Sequence, residues 1–189
     1  MQPASICVYC GAHHGRRPAY ARQARALGSE IARRHIRLIY GGGNVGLMKV
    51  LADAVLASGG KVSGVIPRWL IAPELAHPDL TELIVVETLH ERKERMYELS
   101  QAFVALPGGF GTMDEMIEML TWSRLGLHHY PCAFLDQHDY YQPLRHLMEH
   151  MCSEGFVPDG NLHKNIWFGE EISTLFHWMD TYQSGLEAR

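Results

Sequence analysis

The fold of this chain is decided by the stretch Leu106-Pro107-Gly108-Gly109-Phe110-Gly111-Thr112-Met113-Asp114-Glu115. It follows an apolar segment typical of a buried strand, turns on three glycines and continues into a helical pattern. Glycines let a backbone approach a bound group closely, and the free N–H groups and the dipole at a helix start favour an anion. The stretch therefore predicts a strand, an anion-binding turn and a helix, in that order.

Short apolar runs and helical patterns alternate on both sides of this stretch. Strands of a parallel sheet that are buried on both faces are continuously apolar, and crossover helices cover the sheet. The sequence therefore predicts an α/β fold with a doubly wound parallel sheet and ligands at the carboxyl ends of its strands. The predicted strands are 6–9, 37–40, 62–66, 83–86, 102–106 and 132–135, and the predicted helices are 18–35, 45–58, 91–100, 113–125, 141–154 and 171–182.

Length and composition limit the classes of protein to consider. The chain has 189 residues, 47% hydrophobic and 20% charged, with a formal net charge of -4. These values fit one globular domain over 1–189, and no basic run longer than two residues suggests a nucleic-acid partner. No segment approaches the ~18 consecutive apolar residues of a membrane span, and the N-terminus lacks a charged leader. We expect a cytoplasmic protein that binds neither nucleic acid nor membrane.

Cysteine and histidine patterns could indicate a metal or redox site. Cys7 and Cys10 have a Cys-x-x-Cys spacing, but no second pair follows and Cys7 falls in a predicted buried strand, which favours a structural role. Four cysteines do not predict a disulfide framework in a chain of this size. The pairs His13-His14 and His128-His129 lack the spacing of helical metal ligands and are expected in solvated loops. The sequence predicts no metal site.

A second glycine-rich turn, Tyr40-Gly41-Gly42-Gly43-Asn44-Val45-Gly46-Leu47-Met48, follows the second predicted strand. Both turns leave strands at the same sheet edge, so together they predict one ligand-binding crevice. Neither turn has the Gly-x-x-x-x-Gly-Lys-Ser/Thr spacing of a Walker-type ATPase. The turn at 40–48 also lacks the setting of a dinucleotide fingerprint, because it does not open the first βαβ unit.

The helix predicted after the fourth strand begins with Arg92 and Lys93. Cations at a helix start oppose the helix dipole, which suggests that they serve an anion or a carboxylate across the crevice. The alternative is a solvated charged face on which Glu91 and Arg95 form an i, i+4 pair.

Glu115 also has two interpretations. The spacing Thr112-x-x-Glu115 matches a capping box, in which Thr112 is the N-cap and the glutamate folds back on its amide. However, a carboxylate beside an anion-binding turn costs electrostatic free energy, which favours a functional role.

Three motifs together resemble the LONELY GUY (LOG) family of cytokinin-activating phosphoribohydrolases, long described as lysine decarboxylase-like. They are Pro107-Gly108-Gly109-x-Gly111-Thr112-x-x-Glu115, His90-x-Arg92-Lys93 and Tyr40-Gly41-Gly42-Gly43-x-x-Gly46-Leu47-Met48, and the likeness spans nearly the whole chain. The resemblance implies a Rossmann-like homodimer without metal or organic cofactor. It implies hydrolysis of the N-glycosidic bond of adenosine-type nucleoside 5'-monophosphates, in some members AMP, to free base and ribose 5-phosphate.

The resemblance also implies roles for individual positions. Arg92 and Glu115 correspond to the catalytic pair of the family. The phosphate and ribose loop corresponds to Gly108, Gly109, Phe110, Gly111 and Thr112, and the further nucleotide contacts correspond to Gly42, Gly43, Glu74, Lys93 and Thr121. The chain departs from the family pattern at Lys49, Leu89 and Ala12-His13-His14, and the last change puts in doubt a hydroxyl contact to phosphate from the first loop.

In the expected chemistry, Glu115 stabilises the positive charge that develops on the ribose and orients or deprotonates the attacking water. Arg92 is expected to keep the pKa of this carboxylate low. A decarboxylase is disfavoured, because no lysine has a recognisable setting for a pyridoxal phosphate. The competing function is a non-catalytic nucleotide carrier or sensor of the same fold. The apolar stripe of 116–122, with Met119, Leu120 and Trp122, fits a dimer surface or core packing equally well.

Overall fold

The computed structural model of the chain describes residues 2–71, 75–158 and 165–187. Within these residues, seven strands form one sheet and six α-helices cover it. The strands are β1 (Ser5–Tyr9), β2 (Arg37–Tyr40), β3 (Val62–Pro67), β4 (Glu82–Val86), β5 (Phe103–Ala105), β6 (Cys132–Leu135) and β7 (Ile166–Gly169). The helices are α1 (Pro18–Arg33), α2 (Gly46–Ala57), α3 (Leu89–Glu98), α4 (Phe110–Arg124), α5 (Gln142–Ser153) and α6 (Ile172–Glu187).

All neighbouring strands of the sheet are parallel, in the order β4-β3-β2-β1-β5-β6-β7. The chain builds one half outward from β1 to β4 and then returns to the centre with β5. In such a doubly wound sheet the loops after the two central strands diverge to opposite faces, and their divergence opens a crevice. The fold therefore positions a ligand site between the loops that follow β1 and β5.

Successive residues of β1 enter the two separate cores of the molecule. Ile6 and Val8 pack with α1, α2 and α6 on one face, whereas Cys7 and Tyr9 pack with α3, α4 and α5 on the other. Each of these four residues is at most 1% exposed. A strand covered by helices on both faces is continuously apolar for this reason, which explains why the sequence pattern predicted it.

Local signals set several of the helix ends. Pro18 occupies the first turn of α1, where its missing N–H costs nothing. The Thr88 hydroxyl caps α3 by accepting the N–H of Glu91 at 3.1 Å. Gly59, at φ +75°, follows the end of α2 in the left-handed conformation that glycine adopts readily.

The predicted α/β class and all six predicted strands are confirmed, although β5 is shorter than expected. The sequence pattern missed β7, a four-residue edge strand that is only partly buried. No helix within the described residues has both the length and the apolar character that crossing a bilayer requires.

Cys7 and Cys10 are free thiols whose pKa values are raised by burial. A buried thiol with a raised pKa is less reactive than a free one, which agrees with the structural role predicted for Cys7 in the core. The expectation of a solvated His128 is wrong, because this side chain is buried and contacts the carbonyl oxygen of Met119 at 2.9 Å. The apolar stripe of α4 belongs to the core, since Met116 and Met119 are fully buried.

Candidate active site

A pocket of about 450 Å³ lies at the carboxyl ends of β1 and β5, where the fold opens its crevice. This volume is in the range that small-molecule ligands occupy. Most of its wall comes from the loop after β1, the turn between β5 and α4, and side chains of α3 and α4. Further wall residues come from α1, from the turn after β2 and from the connection between β6 and α5. The wall residues include Gly11, His13, His14, Tyr20, Gly41, Arg92, Gly108, Gly109, Phe110, Gly111, Thr112, Glu115 and Tyr140.

The start of α4 opens onto this pocket. Gly109 is the N-cap residue, and no side chain caps the helix. The N–H groups of the first turn are therefore available to an anion, and the helix dipole favours negative charge there. A Cβ at Gly108 would overlap the Thr112 hydroxyl, so the tight turn requires glycine at this position.

The capping-box interpretation of Glu115 is wrong, because α4 begins three residues earlier than predicted. Thr112 is the third residue of the helix rather than its N-cap, and it is 3% exposed. Glu115 lies one turn further along, where its side chain lines the pocket. The carboxylate is therefore directed at the ligand site and does not fold back on the helix start.

Arg92 and Glu115 meet across the pocket. Arg92 Nη2 lies 3.6 Å from Glu115 Oε1, and the two side chains are 16% and 11% exposed. The pair links α3 to α4, and both side chains line the pocket onto which the start of α4 opens. The structure thus brings together the two residues predicted from separate motifs.

Backbone carbonyl groups of the neighbouring strands anchor the Arg92 guanidinium. Its Nε donates to Val65 O at 3.1 Å and its Nη2 donates to Gly41 O at 3.3 Å. The solvated-face alternative is therefore wrong for Arg92, and Arg95 pairs with Glu98 rather than with Glu91. A Cβ at Gly41 would overlap Arg92 Nη2. The glycine at position 41 thus leaves room for the guanidinium.

Burial dominates the electrostatics of Glu115. Desolvation raises the pKa of its carboxyl from 4.5 to about 7, although Arg92 acts in the opposite direction. The expectation that Arg92 keeps this pKa low is therefore wrong in direction, because the buried site disfavours the charged form more than one guanidinium favours it. A carboxyl with a pKa near 7 can accept and release a proton at neutral pH.

Because of this pKa shift, the difference in stability between the unmodified protein and a Glu115→Gln variant depends on pH. Below pH 4.5 the carboxyl is neutral in the folded and unfolded states, whereas above pH 7 folding must bury its charge. We therefore expect the free energy of unfolding of the variant, relative to that of the unmodified protein, to increase by roughly 2 to 3 kcal/mol between pH 5 and pH 8. Urea unfolding at both pH values measures this difference. Glu98→Gln is the exposed control, and an equal difference at both pH values would contradict the raised pKa.

The remaining predicted nucleotide contacts do not line this pocket. Lys93 is buried between α3 and α4, with its Nζ 3.1 Å from Asp114 Oδ2 and 3.2 Å from Glu118 Oε2. Burial lowers the pKa of Lys93, but these two carboxylates outweigh it and raise the pKa overall. Thr121 lies on the exposed face of α4.

The glycine-rich turn at 40–48 contributes Gly41, Leu47 and Met48 to the pocket wall, whereas Gly42 and Gly43 lie outside it. A Cβ at Gly42 would meet Ile66 and Leu83. Gly43 forms an isolated antiparallel β-bridge with Ala76, which lies in the connection between β3 and β4. Both glycines therefore pack against this part of the chain and do not line the pocket. Glu74 lies outside the described residues.

Sequence analysis assigned no site role to His13, His14, Tyr20 and Tyr140, which form part of the wall. The first two follow the Cys10-Gly11 turn, whose position after the central strand was a usable signal. Tyr140 had none, because it reaches the pocket from the connection between β6 and α5. Within the residues that the structure describes, no three His, Cys, Asp or Glu side chains are arranged to hold a metal ion.

Comparison with solved structures identifies proteins of the same fold. The molybdenum cofactor binding protein from Rippkaea orientalis aligns over 96% of this chain and 98% of its own, with a TM-score of 0.71 and 19% identity. The molybdenum cofactor carrier protein of Chlamydomonas reinhardtii aligns over 95% and 98%, also with a TM-score of 0.71 and 19% identity. At this identity the likeness concerns the fold alone.

Sequence comparison gives much stronger relationships. A family described as "Possible lysine decarboxylase" matches residues 48–179. The cytokinin riboside 5'-monophosphate phosphoribohydrolase of Rhodococcoides fascians is 53% identical over 156 residues, which cover 82% of this chain and 79% of the relative. The Arabidopsis thaliana enzyme LOG7, of the same name, is 41% identical and covers 80% and 70%. This chain therefore belongs to the LOG family.

Proposed function

We propose that this protein hydrolyses the N-glycosidic bond of adenosine-type nucleoside 5'-monophosphates, releasing the free base and ribose 5-phosphate. The substrates are cytokinin riboside 5'-monophosphate, AMP or both. The observation that carries the proposal is the Arg92–Glu115 pair, 3.6 Å apart, at the wall of a pocket onto which an uncapped helix start opens. Relatives with up to 53% identity bear the name of this activity.

The phosphate is held at the start of α4. Gly109, Phe110, Gly111 and Thr112 line the pocket there, and their N–H groups and the helix dipole favour a doubly charged anion. This interaction is remote from the bond that breaks. Its binding energy positions the reacting carbon, so it contributes to the rate as well as to the affinity.

Glu115 acts at the anomeric carbon. As the C1'–N9 bond breaks, its electron pair goes to the base and positive charge develops on the ribose, as in glycoside hydrolysis. The Glu115 carboxylate stabilises this charge and takes a proton from the attacking water, whose oxygen bonds to C1'. The departing base takes up a proton from solvent. With a pKa of about 7, Glu115 is suited to a general base at neutral pH.

Arg92 orients Glu115 and can also reach the ribose hydroxyls. Two of its N–H groups donate to backbone carbonyl groups, and a planar guanidinium held in this way has little freedom to rotate. Its positive charge favours the ionised form of Glu115 against the cost of burial. Arg92 therefore orients the catalytic carboxylate and partly offsets the effect of burial on its charge.

Release of free base tests this function directly. We expect the purified protein to release adenine from AMP, or the prenylated base from the cytokinin nucleotide, as measured by liquid chromatography. For adenosine, which lacks the phosphate, we expect kcat/KM to be at least about 100-fold lower, because the charge-assisted hydrogen bonds at the helix start are lost. Tight binding of both nucleotides without release would contradict the proposal and favour a carrier or sensor.

We also propose that the protein is a cytoplasmic homodimer. Free thiols such as Cys7 and Cys132 are typical of a reducing compartment.

The outer face of α4 offers a surface for the dimer contact. It carries Ile117 and Thr121, and Leu125 follows at the end of the helix. The side chains of Ile117 and Leu125 are 40% and 71% exposed. Two exposed apolar side chains two turns apart on one side of a helix support a contact between subunits, and Thr121 between them would then lie at the interface. Sedimentation measures the oligomeric state.

A further inference from the structure

The turn between β5 and α4 is held by three hydrogen bonds from other parts of the chain. The Tyr141 hydroxyl donates to Leu106 O at 2.6 Å, and the Tyr140 hydroxyl donates to Gly108 O at 2.6 Å. Between them, the Gly11 N–H donates to Pro107 O at 3.1 Å. Three successive carbonyl groups of this turn, those of Leu106, Pro107 and Gly108, are therefore each fixed by one external donor.

A carbonyl group and the N–H of the following residue share one rigid peptide plane and point in opposite directions. The hydrogen bond from Tyr140 to Gly108 O therefore also sets the direction of the Gly109 N–H. The hydrogen bond to Pro107 O sets that of the Gly108 N–H in the same way. The two hydroxyls also donate hydrogen bonds to carbonyl oxygens, whose partial negative charge would otherwise repel a phosphate. External donors thus determine which main-chain groups an anion meets.

The connection that carries the two tyrosines has an unfavourable backbone. His138 and Asp139, at φ 58° and 57°, are both in the left-handed conformation, which non-glycine residues adopt at a cost in free energy. The Asp136 carboxylate stabilises the connection by accepting the N–H of Tyr141. Strain of this kind persists only where surrounding contacts maintain it, and it is often found at functional sites.

We propose that Tyr140 and Tyr141 are positioning residues for the substrate phosphate. Tyr140 acts by fixing the peptide plane that carries the Gly109 N–H, so that this N–H is arranged for the anion before it binds. Tyr141 fixes the plane between Leu106 and Pro107, which has no N–H, and therefore acts by holding the position of the turn as a whole. This inference rests on the proposed function and names the residues that prepare its phosphate site. Tyr141 is 1% exposed and lies outside the pocket wall, so any effect it has on a ligand must pass through the turn.

Tyrosine-to-phenylalanine variants test this role, because they remove one hydroxyl and keep the ring packing. For Tyr140→Phe and Tyr141→Phe we expect the KM for AMP and the dissociation constant of ribose 5-phosphate to increase about 10-fold, the effect of one lost hydrogen bond. We expect kcat/KM for adenosine to change less than about 2-fold, since adenosine has no phosphate to bind. Tyr182→Phe is the matched control, because its hydroxyl donates to His129 O at 2.8 Å, away from the pocket.

The outcomes separate this inference from the proposed function. Unchanged constants for AMP and ribose 5-phosphate in both variants would overturn it, as would an equal loss with adenosine, which indicates general damage. If the unmodified protein releases no base but Tyr141→Phe still weakens ribose 5-phosphate binding, the proposed function fails and the positioning role stands, because Tyr141 does not line the pocket. Melting temperatures report whether each variant folds. If Tyr141→Phe does not fold, unchanged constants in Tyr140→Phe still overturn the inference.

Discussion

Glu115→Gln lowers the rate of base release by roughly 10²- to 10⁴-fold, the range that a general base contributes. The amide keeps the size of the side chain but has no negative charge and accepts no proton from water. Because the phosphate is held by main-chain N–H groups at the start of α4, which the substitution leaves in place, the affinity for ribose 5-phosphate should change less than about 3-fold. Chromatography of the released base and calorimetry with ribose 5-phosphate measure the two effects separately.

Glu149→Gln provides the control for this variant. Glu149 pairs with Arg145 on the exposed face of α5 and lies outside the pocket wall, so its replacement should leave the rate unchanged. An unaltered rate in Glu115→Gln would refute the catalytic assignment. A loss of ribose 5-phosphate binding equal to the loss of rate would instead indicate a damaged pocket.

Gly41→Ala should lower kcat about 100-fold although residue 41 bears no functional side chain. Its new Cβ would occupy the space of Arg92 Nη2, so the guanidinium must move away from Gly41 O and from Glu115. A displacement of about 1 Å at a catalytic group can cost a factor of this size. Steady-state kinetics with AMP measure the effect.

A double-mutant cycle shows whether this effect passes through Arg92. If it does, Gly41→Ala adds no further loss to an Arg92→Ala variant, because the group that the methyl displaces is already absent. Additive losses, or a Gly41→Ala variant with full activity, would contradict the proposed packing. The cycle also tests Arg92 as a catalytic residue, since Arg92→Ala alone should be strongly impaired.

Local patterns carried the prediction of the fold. Each of the six predicted strands is a short apolar run, and such runs are continuous because helices cover both faces of the sheet. The two glycine turns and the charged start of α3 were also visible in the sequence. Local reasoning was less accurate at the start of α4, where Thr112 and Glu115 matched a capping box that the structure does not form.

The geometry around Arg92 could not be predicted, because it depends on contacts between distant segments. Gly41 lies 51 positions before Arg92, and the packing of α3 against the ends of β2 and β3 brings them together. The same applies to Tyr140, which lies 32 positions after the Gly108 carbonyl group that it contacts. No local pattern contains a distance of this kind.

By itself, the sequence determined the α/β class and the position of the glycine-rich turn after the fifth strand, because these depend on residue type and on short spacings. Arg92 and Glu115 were predicted as a pair through the resemblance to the LOG family. Only the tertiary structure decided that the pKa of Glu115 is about 7 rather than low. The reason is that desolvation depends on every group packed around a carboxyl, whereas the sequence indicates only its charged neighbours. It is this burial that makes Glu115 able to exchange a proton at neutral pH.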